Sequence, residues 1–107
     1  GMSQHYYQTR SAEGVAVQVL AGWDRPLGHF FLVVEQVAPE DMGEEPLYSN
    51  LDDPAGGLAQ VDSFAYYRGV LASMGIALPA AMVEAIESDK AENVGNRVKD
   101  WTQESRE

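Results

Sequence analysis

Gly22-Trp23-Asp24-Arg25-Pro26-Leu27-Gly28-His29 runs directly into Phe30-Phe31-Leu32-Val33-Val34-Glu35. The first stretch is polar and broken by Pro26 and two glycines. That is turn chemistry, because proline presets φ and glycine accepts a positive φ. The second stretch is nearly all apolar and has the length of a strand. Alternation puts Phe30, Leu32 and Val34 toward a core, with Phe31 and Val33 on the opposite face. Apolar side chains on both faces predict a central strand, covered on both sides or buried between two copies of the chain. Upstream, Val15, Val17 and Val19 share one side of a strand that ends at Gly22. These two strands are expected to form a hairpin whose loop is wider than a two-residue turn.

Working outward, Ala38 to Pro46 reads as an acidic loop, Leu47-Tyr48-Ser49 as a short third strand, and Asn50 to Gly57 as a turn. Phe64, Tyr67, Val70, Leu71 and Met74 recur at helical spacing. Asp62 or Ser63 caps this helix, and Gly75 followed by Ile76 closes it through a left-handed residue. A second helix starts near Pro79, buries Met82, Val83 and Ile86, and ends over Asp89 to Asn93. Residues 94–101 fit either element. Val94, Val98 and Trp101 have helical spacing, whereas Asn93, Gly95 and Asn96 favour a final strand. Residues 2–13 read as a loose tail or an edge strand, and residues 102–107 as a frayed end. This order predicts one α+β domain over residues 2–107. It has two layers, a mainly antiparallel sheet of three to four strands with two helices packed on one face.

The chain has 107 residues, the size of one domain. Gly1 before Met2 reads as the remnant of a cleaved tag. Mean hydropathy is -0.28, and no apolar run approaches the ~18 residues of a membrane span. Ser3 to Gln8 lacks the basic and apolar regions of a signal peptide. Without cysteine there is no disulfide, no thiolate zinc site and no cysteine nucleophile. A cytoplasmic setting is the expectation. The net charge is -10, from 17 acidic and 7 basic residues. No Lys or Arg lies between Arg25 and Arg68. That interval holds Glu35, Glu40, Asp41, Glu44, Glu45, Asp52, Asp53 and Asp62, which is -8 of the total. This charge disfavours direct contact with nucleic acid and with anionic membranes.

Two groups of residues are candidate sites. Asp24, Arg25 and His29 bring an acid, a cation and a base to one corner, with Trp23 beside them. As a pocket, His29 would move a proton, Asp24 would orient it and Arg25 would hold an anion. As plain structure, Asp24 and Arg25 organise the turn, His29 begins a strand and Trp23 lies over the sheet. The second group is the acidic set Glu40, Asp41, Glu44, Glu45, Asp52 and Asp53, a surface for a basic protein. A calcium loop aligned on Asn50, Asp52 and Pro54 fails at the third ligand, and Val61 stands where a bidentate Glu is needed. His5 and His29 are too far apart in sequence to suggest zinc. No phosphate loop and no nucleophile elbow is present. No metal, cofactor or catalytic residue is therefore assigned. Tyr66 and Arg68 leave the apolar stripe of the first helix and are suited to contacting a partner.

The pieces Gly22-Trp23-Asp24-Arg25-Pro26-Leu27, Leu47 to Pro54 and Asn93-Val94-Gly95-Asn96 resemble those of small uncharacterised bacterial proteins, over most of residues 15–100. The resemblance implies a bacterial cytosolic setting and an intact single-domain unit, and it assigns no functional residue. The expected function is a non-enzymatic interaction or regulatory module whose partner is a basic protein, with a homodimer as a further expectation. The rival expectation is a small enzyme or ligand-binding protein with its pocket beside Asp24, Arg25 and His29.

Overall fold

The hairpin expected around Gly22 forms, and a sheet is built outward from it. The computed structural model describes residues 1–37, 45–55 and 63–102. In chain order the elements are β1 (Ser3–Arg10), β2 (Ala16–Asp24), β3 (His29–Gln36), β4 (Tyr48–Ser49), a 3-10 turn (Asn50–Asp52), α1 (Ala65–Ser73), α2 (Ala80–Ala91) and β5 (Arg97–Asp100). β2 and β3 pair antiparallel from Val17↔Gln36 to Asp24↔His29, leaving Arg25 to Gly28 as the loop. The sheet order is β4-β3-β2-β1-β5, with β5 parallel to β1 and the other pairs antiparallel. A parallel neighbour needs a long crossover, and the two helices supply it.

The α+β class, the mainly antiparallel sheet and the two helices on one face stand as expected. Among the described residues the sheet has five strands rather than three to four. The difference lies in residues 3–10, which form neither a tail nor an edge. They are an interior strand between β2 and β5. Ser3, His5 and Tyr7 alternate toward the helices and are buried. Two of these three are polar, so their period of two gives little hydrophobic contrast.

The core lies between one sheet face and the helices. Val17, Val19, Ala21 and Trp23 from β2, with Phe30, Leu32 and Val34 from β3, pack under Phe64, Tyr67, Leu71, Met82 and Ile86. Phe30 meets Phe64 edge-on, ring centroids 5.7 Å apart. Phe31 is also buried but stands outside this cluster, on the opposite face with half-buried Leu20 and Val33.

Both helices end in the same hydrogen-bonded closure. After α1, Ile76 N–H donates to the Leu71 carbonyl at 2.9 Å and Gly75 N–H to that of Ala72 at 3.0 Å. Gly75 has φ 76, which a side chain would strain. After α2, Val94 N–H donates to the Asp89 carbonyl at 2.9 Å and Asn93 N–H to that of Lys90 at 3.1 Å, with Asn93 at φ 53. At the start of α1, Ser63 Oγ accepts from Ala65 N–H at 3.0 Å, while Asp62 lies outside the described residues. Pro79 precedes the first residue of α2, as its fixed φ favours.

β5 resolves residues 97–100 as a strand, and all four are exposed. Arg97 and Lys99 on this edge oppose further strand pairing. Among the described residues no helix is long and apolar enough to cross a membrane.

Candidate functional site

The corner from Trp23 to His29 separates its polar side chains rather than gathering them. Asp24 Oδ1 accepts from Leu27 N–H at 3.1 Å, and the Asp24 carbonyl accepts from Gly28 N–H at 2.7 Å. A short carboxylate bonding the backbone three residues on is a turn device. His29 Nδ1–H donates to the Phe30 carbonyl at 2.8 Å. Arg25 is exposed and runs beside Gly95. Among the described residues no side-chain hydrogen bond or ion pair joins Asp24, Arg25 and His29 to one another, although Asp24 and His29 face each other across the β2–β3 ladder. Trp23 is buried, its ring edge-on to Phe30 at 5.1 Å, and its Nε1–H donates to Asn93 Oδ1 at 3.0 Å. Its face carries Lys90 Nζ at 5.8 Å.

The polar side chains that do converge are His5, Asp89, Arg97 and Trp101. Asp89 sits in the last turn of α2 with a fully buried carboxylate. Its Oδ2 lies 2.7 Å from His5 Nε2, and its Oδ1 accepts from Arg97 Nη1 at 2.6 Å. Trp101 Nε1–H donates to His5 Nδ1 at 2.8 Å. An indole nitrogen can only donate, so His5 Nδ1 carries the lone pair and Nε2 the proton. His5 is thereby held as one neutral tautomer, donating to a carboxylate whose charge Arg97 balances. A His–Asp pair is the chemistry of proton transfer, but both side chains are 0% exposed and no reactant reaches them. The arrangement acts as a lock. It ties β1, the end of α2 and the segment after β5 through one carboxylate. Lys99 Nζ covers the Trp101 ring at 4.1 Å.

Of the acidic set, Glu40, Asp41 and Glu44 lie outside the described residues. Glu45 and Asp52 are exposed and Asp53 is half-buried. They flank β4, the sheet edge opposite β5. Ser49 Oγ accepts from Leu51 N–H at 3.2 Å, and Asn50 Oδ1 accepts from Leu32 N–H at 3.3 Å, so the 3-10 turn is fastened to β3. Asp53 Oδ2 accepts from Tyr48 O–H at 2.6 Å and from Tyr66 O–H at 2.8 Å, linking this turn to α1. Among the described residues no three His, Cys, Asp or Glu side chains gather as metal ligands.

Asp53 makes its tyrosines harder to ionise. Burial, then the hydrogen bond to Asp53, pushes Tyr48 far above the usual range. Tyr66 is raised first by that hydrogen bond, and Tyr67 first by burial and then by the Asp53 charge. Raised phenols keep their protons in the folded state after the unfolded chain has lost them. The tyrosine contribution to stability is therefore constant below pH ~10 and falls as pH rises above it. Ultraviolet titration of phenolate absorbance is expected to show Tyr66 ionising earlier in Asp53→Asn than in wild type. Coincident titration curves would remove Asp53 as the cause.

Comparison with family models, curated proteins and solved structures gives no match to this chain.

Proposed function

We propose that this chain is a small acidic interaction module that binds a basic protein along its β4 edge. The observation that carries the reading is the surface of the β4 segment. Leu47 is 48% exposed and Leu51 84% exposed. Exposed Glu45 and Asp52 stand beside them, and the sequence has no cation between Arg25 and Arg68. Single exposed leucines are ordinary. Two of them flanking β4, one on the fastened 3-10 turn and one just before the strand, beside Glu45 and Asp52, suit a basic segment with apolar anchors. Carboxylates would steer the encounter and the leucines would slow dissociation.

The test is a lysate pull-down eluted in salt steps, run beside a variant with Glu40, Asp41, Glu44 and Glu45 changed to Lys. A basic protein is expected on wild type, released at moderate salt because exposed charges are screened, and absent from the variant. Leu51→Asp is expected to weaken the same capture without changing its salt dependence. Equal capture of the same proteins by wild type and both variants would sink the reading.

A further inference from the structure

A cleft of about 330 Å³ opens between α1 and the start of α2, away from the β4 edge. Buried Leu71 and Ile76 with half-buried Leu78 and Val83 line it, and Arg68 and Gly69 border it. Two features of the border are unexplained by folding. Gly69 lies inside α1, where glycine weakens a helix. A Cβ there would meet nothing within 4 Å, so no packing constraint calls for glycine. Arg68 is the only Lys or Arg between Arg25 and Lys90. It is exposed, and among the described residues its side chain makes no hydrogen bond or ion pair, only its backbone N–H donating to the Phe64 carbonyl at 3.1 Å. In a chain with 17 carboxylates, an arginine left unpaired above an apolar cleft is available to an outside anion.

We infer that this cleft binds a small monocarboxylate with an apolar body, of the medium-chain alkanoate class. The tail lies on Leu71, Ile76, Leu78 and Val83, and Gly69 leaves the entrance open. The carboxylate meets the Arg68 guanidinium, whose planar fork fits two carboxylate oxygens. Apolar pockets with one placed polar group follow this division, in which area gives affinity and the charge fixes orientation. One charge-assisted contact at a partly wet rim corresponds to roughly tenfold in affinity.

The probe is octanoate below its micelle-forming concentration, followed by methyl resonances of the intact chain, with octanol as the uncharged counterpart. Octanoate is expected to shift the Leu71, Ile76, Leu78 and Val83 methyls and to bind roughly tenfold tighter than octanol. Arg68→Gln is expected to remove that difference. Gly69→Leu, which favours the helix and retains the fold, is expected to abolish binding of both. Three results would overturn the proposal: no shift at these methyls, octanoate binding unchanged in Arg68→Gln, or binding retained in Gly69→Leu. A fourth is a ligand-free dimer by sedimentation that Gly69→Leu dissociates, which would give the cleft to a second copy.

Discussion

Asp89→Ala is expected to cost about 3 kcal/mol, from two lost charge-assisted hydrogen bonds and a buried donor left unmet. Domains of this size are stable by about 5–15 kcal/mol, so the variant would retain only part of its folding free energy. Its Tm is expected to fall by roughly 15–25 °C. The reason is geometric. Alanine leaves His5 Nε2–H without an acceptor in a place no water reaches, since His5 is 0% exposed. Arg97 fares better, because its side chain is 45% exposed and turns to solvent. Arg97→Ala is therefore expected to cost less, about 1–2 kcal/mol, with water taking its place at Oδ1. Trp101→Phe keeps a ring in the site but withdraws the donor from His5 Nδ1, at a cost of about 1–3 kcal/mol. Urea unfolding of the three variants reads this order directly. A loss below about 1 kcal/mol for Asp89→Ala would mean that the carboxylate locks nothing.

The legibility of this site follows from what each residue type signals in a sequence. Met82, Ile86 and Asp89 lie three to four residues apart, on the face of α2 that the structure buries. The apolar members define that face. An aspartate in the last turn before Asn93 reads as the polar end of a helix, so its burial is hidden. His5 alternates with Ser3 and Tyr7, but two polar residues in three erase the hydrophobic period that marks a strand. Arg97 and Trp101 lie within residues 94–101, a segment whose element type the sequence leaves open. The four lock residues span positions 5 to 101, and the β1–β5 pairing together with the packing of α2 on the sheet brings them together. By contrast, the Gly22–His29 corner is legible because proline and glycine act locally. Asp24 bonds its own turn for the same reason. Gly75 and Ile76 close α1 as read, since that motif is local in sequence as well as in space.

Local chemistry and tertiary crowding also part at the glycines. Gly22 reads as the end of a strand, yet it lies inside the β2 run, paired with Phe31. A Cβ at this position would run into the Ser3 carbonyl and lie 2.9 Å from Ser3 Oγ. The obstacle is backbone of an interior strand, which cannot swing aside as a side-chain tip does. Gly22→Ala is therefore expected to push β1 away from β2, at a cost of about 3 kcal/mol, the upper range for overpacking. The displacement also threatens the bond from Trp23 N–H to Ser3 Oγ, now 2.9 Å, and moves His5 out of reach of Asp89. Hydrogen exchange is expected to show protection lost over residues 3–6 and 97–100, with β2–β3 pairing retained. Alanine at Gly69 is the control for glycine replacement as such. It meets open space, and is expected to stabilise the helix by about 0.5–1 kcal/mol. If Gly22→Ala unfolds at the wild-type denaturant concentration, β1 yields freely and the lock built on it does not set the stability of this edge.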